Sequence, residues 1–262
     1  MRLFYRKVGE GPPLIILHGL FGSSDNWMTI ARIISKSFAV YLPDQRNHGR
    51  SPHDQVHDYD SMSDDLYELV KELDLRKFFL AGHSMGGRTA LKFAIKWPEM
   101  LHGLMIADIS PVSDEKSKLQ AYNEHYKILR AIIDTDISKA ASRSDADKML
   151  SERIPSERIR SLILKNLDRN ENNSFSWKLN AQSLLSNLNK IVEGLSVPAQ
   201  ITGFPVIFLK GETSEYISKD DVTEIYRLFP AAEIRVVKNA GHWLHADNPE
   251  AVSEALLSLL DN

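Results

Sequence analysis

Within 262 residues, the sharpest chemical pattern is Gly82-His83-Ser84-Met85-Gly86-Gly87. It fits Gly-x-Ser-x-Gly and stands between an apolar run ending at Leu80-Ala81 and an amphipathic stretch from Arg88 to Lys96. Small residues around a serine permit a sharp strand-to-helix turn that lifts its hydroxyl clear of the sheet. The amides that open the following helix then point at negative charge developing beside that hydroxyl. This is chemistry for a serine attacking an acyl carbonyl. The plain structural alternative is a helix-capping serine in a glycine-rich turn.

A nucleophilic serine needs a base. In this strand–turn–helix setting the base follows the serine along the chain, which leaves His102, His125, His242 and His245. His242 lies in Asn239-Ala240-Gly241-His242-Trp243, between the last predicted strand and the last predicted helix. That is the carboxyl edge of an open sheet, where ligands bind. His102 is expected to precede a strand at the opposite edge, and His125 falls in a polar helical segment. His245 is expected to be a surface or supporting histidine, and His18 and His83 to be hydrogen-bonded structural groups. His53 and His57 have a spacing compatible with metal binding on a helix, but HDQVHD reads as a polar loop, so no metal is expected.

The elements that must position these groups follow from hydropathy. Short apolar runs at Leu3 to Val8, Leu14 to His18, Phe38 to Leu42 and Phe78 to Ala81 read as strands bounded by turn-forming or charged residues. Between them, Trp27-Ile30-Ala31-Ile34 and Met62-Leu66-Leu69-Val70-Leu73 repeat at helical spacing. Continuous apolar strands alternating with helices predict a mostly parallel sheet covered on both faces. The alternation resumes with strands at Pro205 to Leu209 and Glu233 to Val237, and helices at Asp220 to Phe229 and Pro249 to Leu260. The intervening stretch, Val112 to Gly203, is polar and helical in period, with one extended piece at Phe175 to Lys178. It is expected to be an inserted helical cap (residues 112–203) over a core made of residues 1–111 and 204–262.

Composition narrows the function further. Lys and Arg number 32 against 35 Asp and Glu, a net charge of −3 that argues against a sequence-independent nucleic-acid binder, which needs a basic face. Hydrophobic residues at 43% and charged residues at 26% fit a folded globular chain rather than a disordered one. No apolar run approaches the roughly 20 residues of a membrane span. The opening MRLFYRKVG has no apolar stretch after its basic residues, so no secretory leader is expected. The absence of cysteine removes disulfides, thiolate zinc sites and thiol catalysis together, and a cytoplasmic location is expected.

The strings LHGLFGSSDNW, DQRNHGRSPH, GHSMGG, IADISPV, FLKGETSEYI and NAGHWLHADNPEAV together resemble the α/β-hydrolase superfamily. More narrowly, they resemble the YbfF-type esterases and their mitochondrial α/β-hydrolase-domain relatives. The match spans nearly all of the catalytic part. The inserted segment matches more weakly, mainly through SWKLN. The resemblance implies an α/β-hydrolase fold. This chain departs from it in having one strand ahead of LIILH, so the usual first strand is expected to be missing and the sheet to have about seven strands. The resemblance also implies hydrolysis of carboxylic esters, with some members cleaving acyl thioesters, and no cofactor. The oxyanion donors it implies are the backbone N–H groups of Leu20 and Met85, with Phe21 an alternative donor, an acyl-pocket residue or a core residue. Trp243 is a second substrate-binding candidate. The loop from Asp44 to Pro52 is expected to be structural. Most α/β hydrolases carry the triad acid after the seventh strand, where this chain has Lys210-Gly211-Glu212-Thr213-Ser214. In the similar esterases the acid follows the sixth strand, which corresponds to Asp108. Ser214 then becomes a hydrogen-bonding support for the triad.

These expectations make the chain a serine hydrolase with Ser84, His242 and Asp108 as its triad, acting on a small-molecule acyl ester or thioester as a monomer or homodimer. Two rivals share the scaffold. One is a lyase or carbon–carbon hydrolase using the triad as a base, and the other is a small-molecule receptor with residual hydrolase activity.

Overall fold

The computed structural model describes residues 1–261. Among the described residues, nine strands and eleven α-helices are distributed between a layered core and an insertion. The core sheet has seven strands in the order β1-β3-β2-β4-β5-β8-β9. Its members are β1 (Tyr5–Val8), β2 (Pro13–Leu17), β3 (Ala39–Pro43), β4 (Phe78–His83), β5 (Leu101–Ala107), β8 (Val206–Gly211) and β9 (Glu233–Val237). Only β1 runs antiparallel, pairing Tyr5 with Pro43 at the sheet edge. The seven strands agree with the expected number, and among the described residues β1 alone precedes β2, as the apolar runs predict.

Strand pleating sends alternate side chains to opposite faces, and both faces are covered. Ile15, Leu17, Phe78 and Leu80 join one buried cluster with Phe93. Leu14, Ile16, Phe79 and Met105 join another with Trp27 and Phe38. The covering helices are α1 (Met28–Ile34), α2 (Tyr59–Glu72), α3 (Met85–Lys96), α9 (Lys219–Leu228) and α11 (Pro249–Leu257), with the short α10 (Leu244–Asp247) ahead of the last. The starts of α2, α9 and α11 are capped by side chains. Asp58 accepts the Ser61 N–H at α2, and Ser218 with Asp221 forms a capping box at α9.

The chain leaves the sheet after β5 and re-enters it at β8, beside β5. Between them lie α4 (Glu115–Asp134), α5 (Arg143–Ser151), α6 (Glu157–Leu164), α7 (Ala181–Ser186) and α8 (Leu188–Val192). Ile128, Leu129, Ile132, Leu184 and Leu188 from this insertion pack in one buried cluster with Leu20, Phe21 and Met85 of the core. The insertion therefore sits over the carboxyl edge of the sheet, where the glycine-containing turns emerge.

Two local features depart from expectation. The extended piece near Phe175 is half of a hairpin, β6 (Leu167–Arg169) with β7 (Phe175–Trp177), in which Leu167 faces Trp177. Leu167 and Phe175 bury themselves against Ile137 and Ala146, and Asn173 takes the left-handed conformation that closes the turn. His102 lies within β5 rather than before it, as its second and solvent-exposed residue.

Candidate active site

Ser84 occupies the turn between β4 and α3 with φ 53 and ψ −119, a conformation unusual for a residue with a side chain. Its N–H bonds to the Ala107 carbonyl at 3.0 Å, which ties the turn to the end of β5. The glycine two residues on is required by contact. A Cβ on Gly86 would stand 2.5 Å from the carbonyl oxygens of Leu17 and His18. Helix α3 thus starts close against the end of β2, and its first amides face the cleft.

Asp108 follows β5 directly, with its backbone in the left-handed region at φ 51 and its side chain wholly buried. Its N–H bonds to Leu209 O at 2.8 Å, and its Oδ1 accepts the Gly211 N–H at 2.9 Å, so β8 fixes both its backbone and its carboxylate. Oδ2 accepts from the Ser214 hydroxyl and pairs with His242 Nδ1 at 2.8 Å. The opposite ring nitrogen, His242 Nε2, lies 3.0 Å from Ser84 Oγ. A carboxylate only accepts, so Nδ1 carries the proton and Nε2 is left to accept from the serine hydroxyl.

The turn that carries His242 is held by the β8 loop. The Thr213 N–H donates to Ala240 O at 3.0 Å, and a Cβ on Gly211 would meet Gly241 O at 2.3 Å, so only glycine lets the two turns touch. Glu212 accepts the Asn239 N–H at 2.8 Å and is engaged in bracing this turn. His83 Nε2–H donates to the His242 carbonyl at 2.7 Å. Burial, together with neighbouring His242 and His245, drives His83 well below the ordinary imidazole value and keeps it neutral.

Leu20 and Met85 border the same cleft as Ser84. The Leu20 N–H makes no hydrogen bond among the described residues. Met85 is the first residue of α3, and its N–H precedes the helical ladder. The turn bearing Leu20 is braced from behind. His18 Nε2 accepts the Gln45 N–H at 2.9 Å, Gln45 returns a bond to His18 O at 2.6 Å, and Thr89 of α3 donates to Gln45 Oε1 at 2.9 Å. Asp44 meanwhile accepts the N–H groups of Ser24 and Arg50. The loop from Asp44 to Pro52 thus acts as scaffolding for the Leu20 turn.

The cleft, about 820 Å³ including its mouth open to solvent, is bordered on the insertion side by Gln120, Glu124 and His125 of α4. Burial lowers His125 to about 4, so it adds no charge at neutral pH. The Arg88 guanidinium, buried beside the cleft, donates to the carbonyls of Val192 and Glu193 at 3.0 Å each and holds the carboxyl end of α8.

Two substrate-binding candidates lie elsewhere. Phe21 adopts φ 63, which turns its ring into the insertion, edge-on to His125 at 5.8 Å and 4% exposed. Trp243 sits under the Arg158 guanidinium at 4.8 Å and borders a separate cleft of about 220 Å³ with Leu162 and His245. Neither borders the cleft that holds Ser84. His245 is buried rather than at the surface, stacked on Trp27 at 4.7 Å. His53 and His57 do not converge. His57 is buried with Nε2 3.4 Å from Met85 Sδ, whereas His53 is near the Lys178 carbonyl. No group of three or more potential ligands among the described residues could hold a metal ion. Likewise, no helix among them is long and apolar enough to cross a membrane. Sequence reasoning passed over Tyr216, whose ring covers His242. The signal available was its place two residues beyond Ser214 in GETSEYI.

A family model described as the alpha/beta hydrolase fold matches residues 12–249, and the chain belongs to that family. Within it the chain is similar to the YbfF-type esterases. It is 30% identical to Esterase YbfF of Escherichia coli over 95% of this chain and 93% of that protein. It is 36% identical to the sn-1-specific diacylglycerol lipase ABHD11 of Danio rerio, over 96% of this chain and 79% of that one. Among solved structures, a marine microorganism esterase superposes with a TM-score of 0.93 at 41% identity, covering 98% of this chain and 99% of the other.

Proposed function

We propose that this protein is a serine carboxylesterase that works through an acyl-enzyme. The carrying observation is the continuous relay from Ser84 Oγ to His242 Nε2, 3.0 Å, and from His242 Nδ1 to Asp108 Oδ2, 2.8 Å. Ser84 attacks the ester carbonyl while His242 takes its proton. The Leu20 and Met85 amides receive the oxyanion, and the protonated imidazole then delivers its proton to the departing alcohol. Water, deprotonated by His242, releases the acid in the second half. Asp108 keeps the imidazole in the productive tautomer and offsets its charge, and Ser214 supports that carboxylate through its hydroxyl.

The insertion acts as a cap, and the cleft beneath it takes the acyl group. Short to medium acyl chains on esters are the favoured substrates, with acyl thioesters the second class. The names of the relatives, an esterase and a diacylglycerol lipase, support ester cleavage as the reaction class. The partner is a small molecule, and the chain acts as a cytoplasmic monomer or homodimer. Aryl esters and acyl thioesters of graded chain length, assayed with wild type and Ser84→Ala, test this reading. Turnover and covalent phosphonate labelling are expected in wild type and lost in the folded variant. Labelling that persists in Ser84→Ala would place the nucleophile elsewhere.

A further inference from the structure

We infer that Tyr216 is a positioning residue that holds the His242 imidazole in plane and stabilises it when protonated; the inference rests on the serine-hydrolase assignment above. The Tyr216 ring lies flat on His242, with centroids 3.7 Å apart and planes inclined by 15°. Two neutral aromatic rings avoid such a close face-to-face overlay and prefer offset or edge contacts. A cationic ring over the electron-rich face of a phenol is the arrangement that this geometry favours. Each half-reaction passes through a transition state in which the ring becomes an imidazolium, so the stack strengthens when the chemistry needs it.

The same residue also closes a circuit. The Tyr216 N–H donates to Ser214 Oγ at 3.3 Å, and the Ser214 hydroxyl donates to Asp108, which in turn accepts from His242, the ring on which Tyr216 lies. The link through Ser214 is a backbone bond and survives any side-chain change, so substitution at position 216 isolates the ring. The His83 ring lies 4.6 Å from that of His242 at 43° and is neutral. The remaining titratable neighbours are Asp108, which pairs with the ring, and His245, behind His83 at 4.8 Å. Glu124, Glu215, Asp221, Arg88 and the neutral His125 face the site across the cleft. Tyr216 itself borders the cleft, and burial raises its phenol, which stays uncharged.

The test compares wild type, Tyr216→Phe, Tyr216→Leu and phenylalanines of increasing fluorination at position 216, with Ser84→Ala as control and an aryl ester as substrate. Tyr216→Phe is expected to stay near wild type, because the ring face is kept. In Tyr216→Leu, kcat is expected to fall by about 3- to 30-fold with KM little changed, the range that a cation over an aromatic face supports. The acidic limb of kcat/KM should move to lower pH, because the ring no longer favours the protonated base. The fluorinated series keeps the shape and drains the ring face, so the limb should step downwards with each fluorine even if Tyr216→Leu folds poorly. An unmoved limb across the fluorinated series, or a loss in Tyr216→Phe as large as in Tyr216→Leu, would overturn the role of the ring while silence of Ser84→Ala keeps the triad. Turnover that persists in Ser84→Ala overturns the triad assignment instead.

Discussion

Asp108 is sealed from solvent and accepts three hydrogen bonds, from Gly211, Ser214 and His242. An amide at this position keeps the volume but can present its NH₂ to His242, which favours the wrong tautomer, an effect worth about 10⁴ in the serine-protease template. Asp108→Asn is therefore expected to lower kcat by roughly 10² to 10⁴ with little change in KM, measured with an aryl ester on protein shown to be folded by circular dichroism. Ser214→Ala removes one neutral donor from a carboxylate that keeps its other partners. A loss of about tenfold or less is expected there, the range of a single hydrogen bond. Near-wild-type turnover in Asp108→Asn beside a collapse in Glu215→Gln would move the acid to the β8 loop.

At the scale of elements, one close constraint is the seat of α3 on β2. Gly86→Ala would drive a methyl into the carbonyls of Leu17 and His18, both rigid backbone. A stability loss of about 1–3 kcal/mol by urea unfolding is expected, with kcat falling in parallel because Ser84 and Met85 move with the helix. Arg88 acts in the opposite sense, as a tie. Its guanidinium satisfies the last carbonyls of α8, so Arg88→Met should raise amide hydrogen exchange in Leu188–Val192 while leaving the sheet protected. Unchanged exchange there would show that the apolar cluster alone holds the insertion. Much of this architecture was legible in advance. The strands and helices follow from apolar spacing, and Gly82, Ser84 and Gly86 declare the turn because the turn demands those residue types. The direction of Phe21 was not legible, since a left-handed backbone at a residue with a large side chain leaves no mark in composition. The hairpin at Leu167 was missed for another reason. Three-residue strands are too short to show a period, and their partners, Ile137 and Ala146, are distant in the chain. The stack of Tyr216 on His242 depends on two loops that meet only in the folded sheet.

For the whole molecule, the histidines set the response to acid. Burial depresses His18, His48, His57, His83, His125 and His245, with His57 and His245 held at about 3 and His125 at about 4. In the unfolded chain such groups titrate near 6.5. Below that value the unfolded state binds protons that the folded state refuses, so stability is complete above about pH 6.5 and is lost as pH falls towards 3. Each group contributes up to about 1.4 kcal/mol per pH unit in that window. Urea midpoints measured from pH 7 to pH 4 should drop steeply, with several protons taken up on unfolding at pH 5. A flat profile would mean that these imidazoles are already charged when folded. The span of the relay along the chain has a further consequence, for biosynthesis. Ser84 and His242 are separated by 158 residues, with the whole insertion between them. At about 5–20 residues per second a ribosome needs roughly eight to thirty seconds to pass from one to the other. Throughout that interval the emerging polypeptide carries a serine with no base, so it cannot acylate itself on passing esters. Nascent chains stalled anywhere before the last strand should be inert towards phosphonate probes, and reactivity should switch on only once His242 has emerged and joined the sheet.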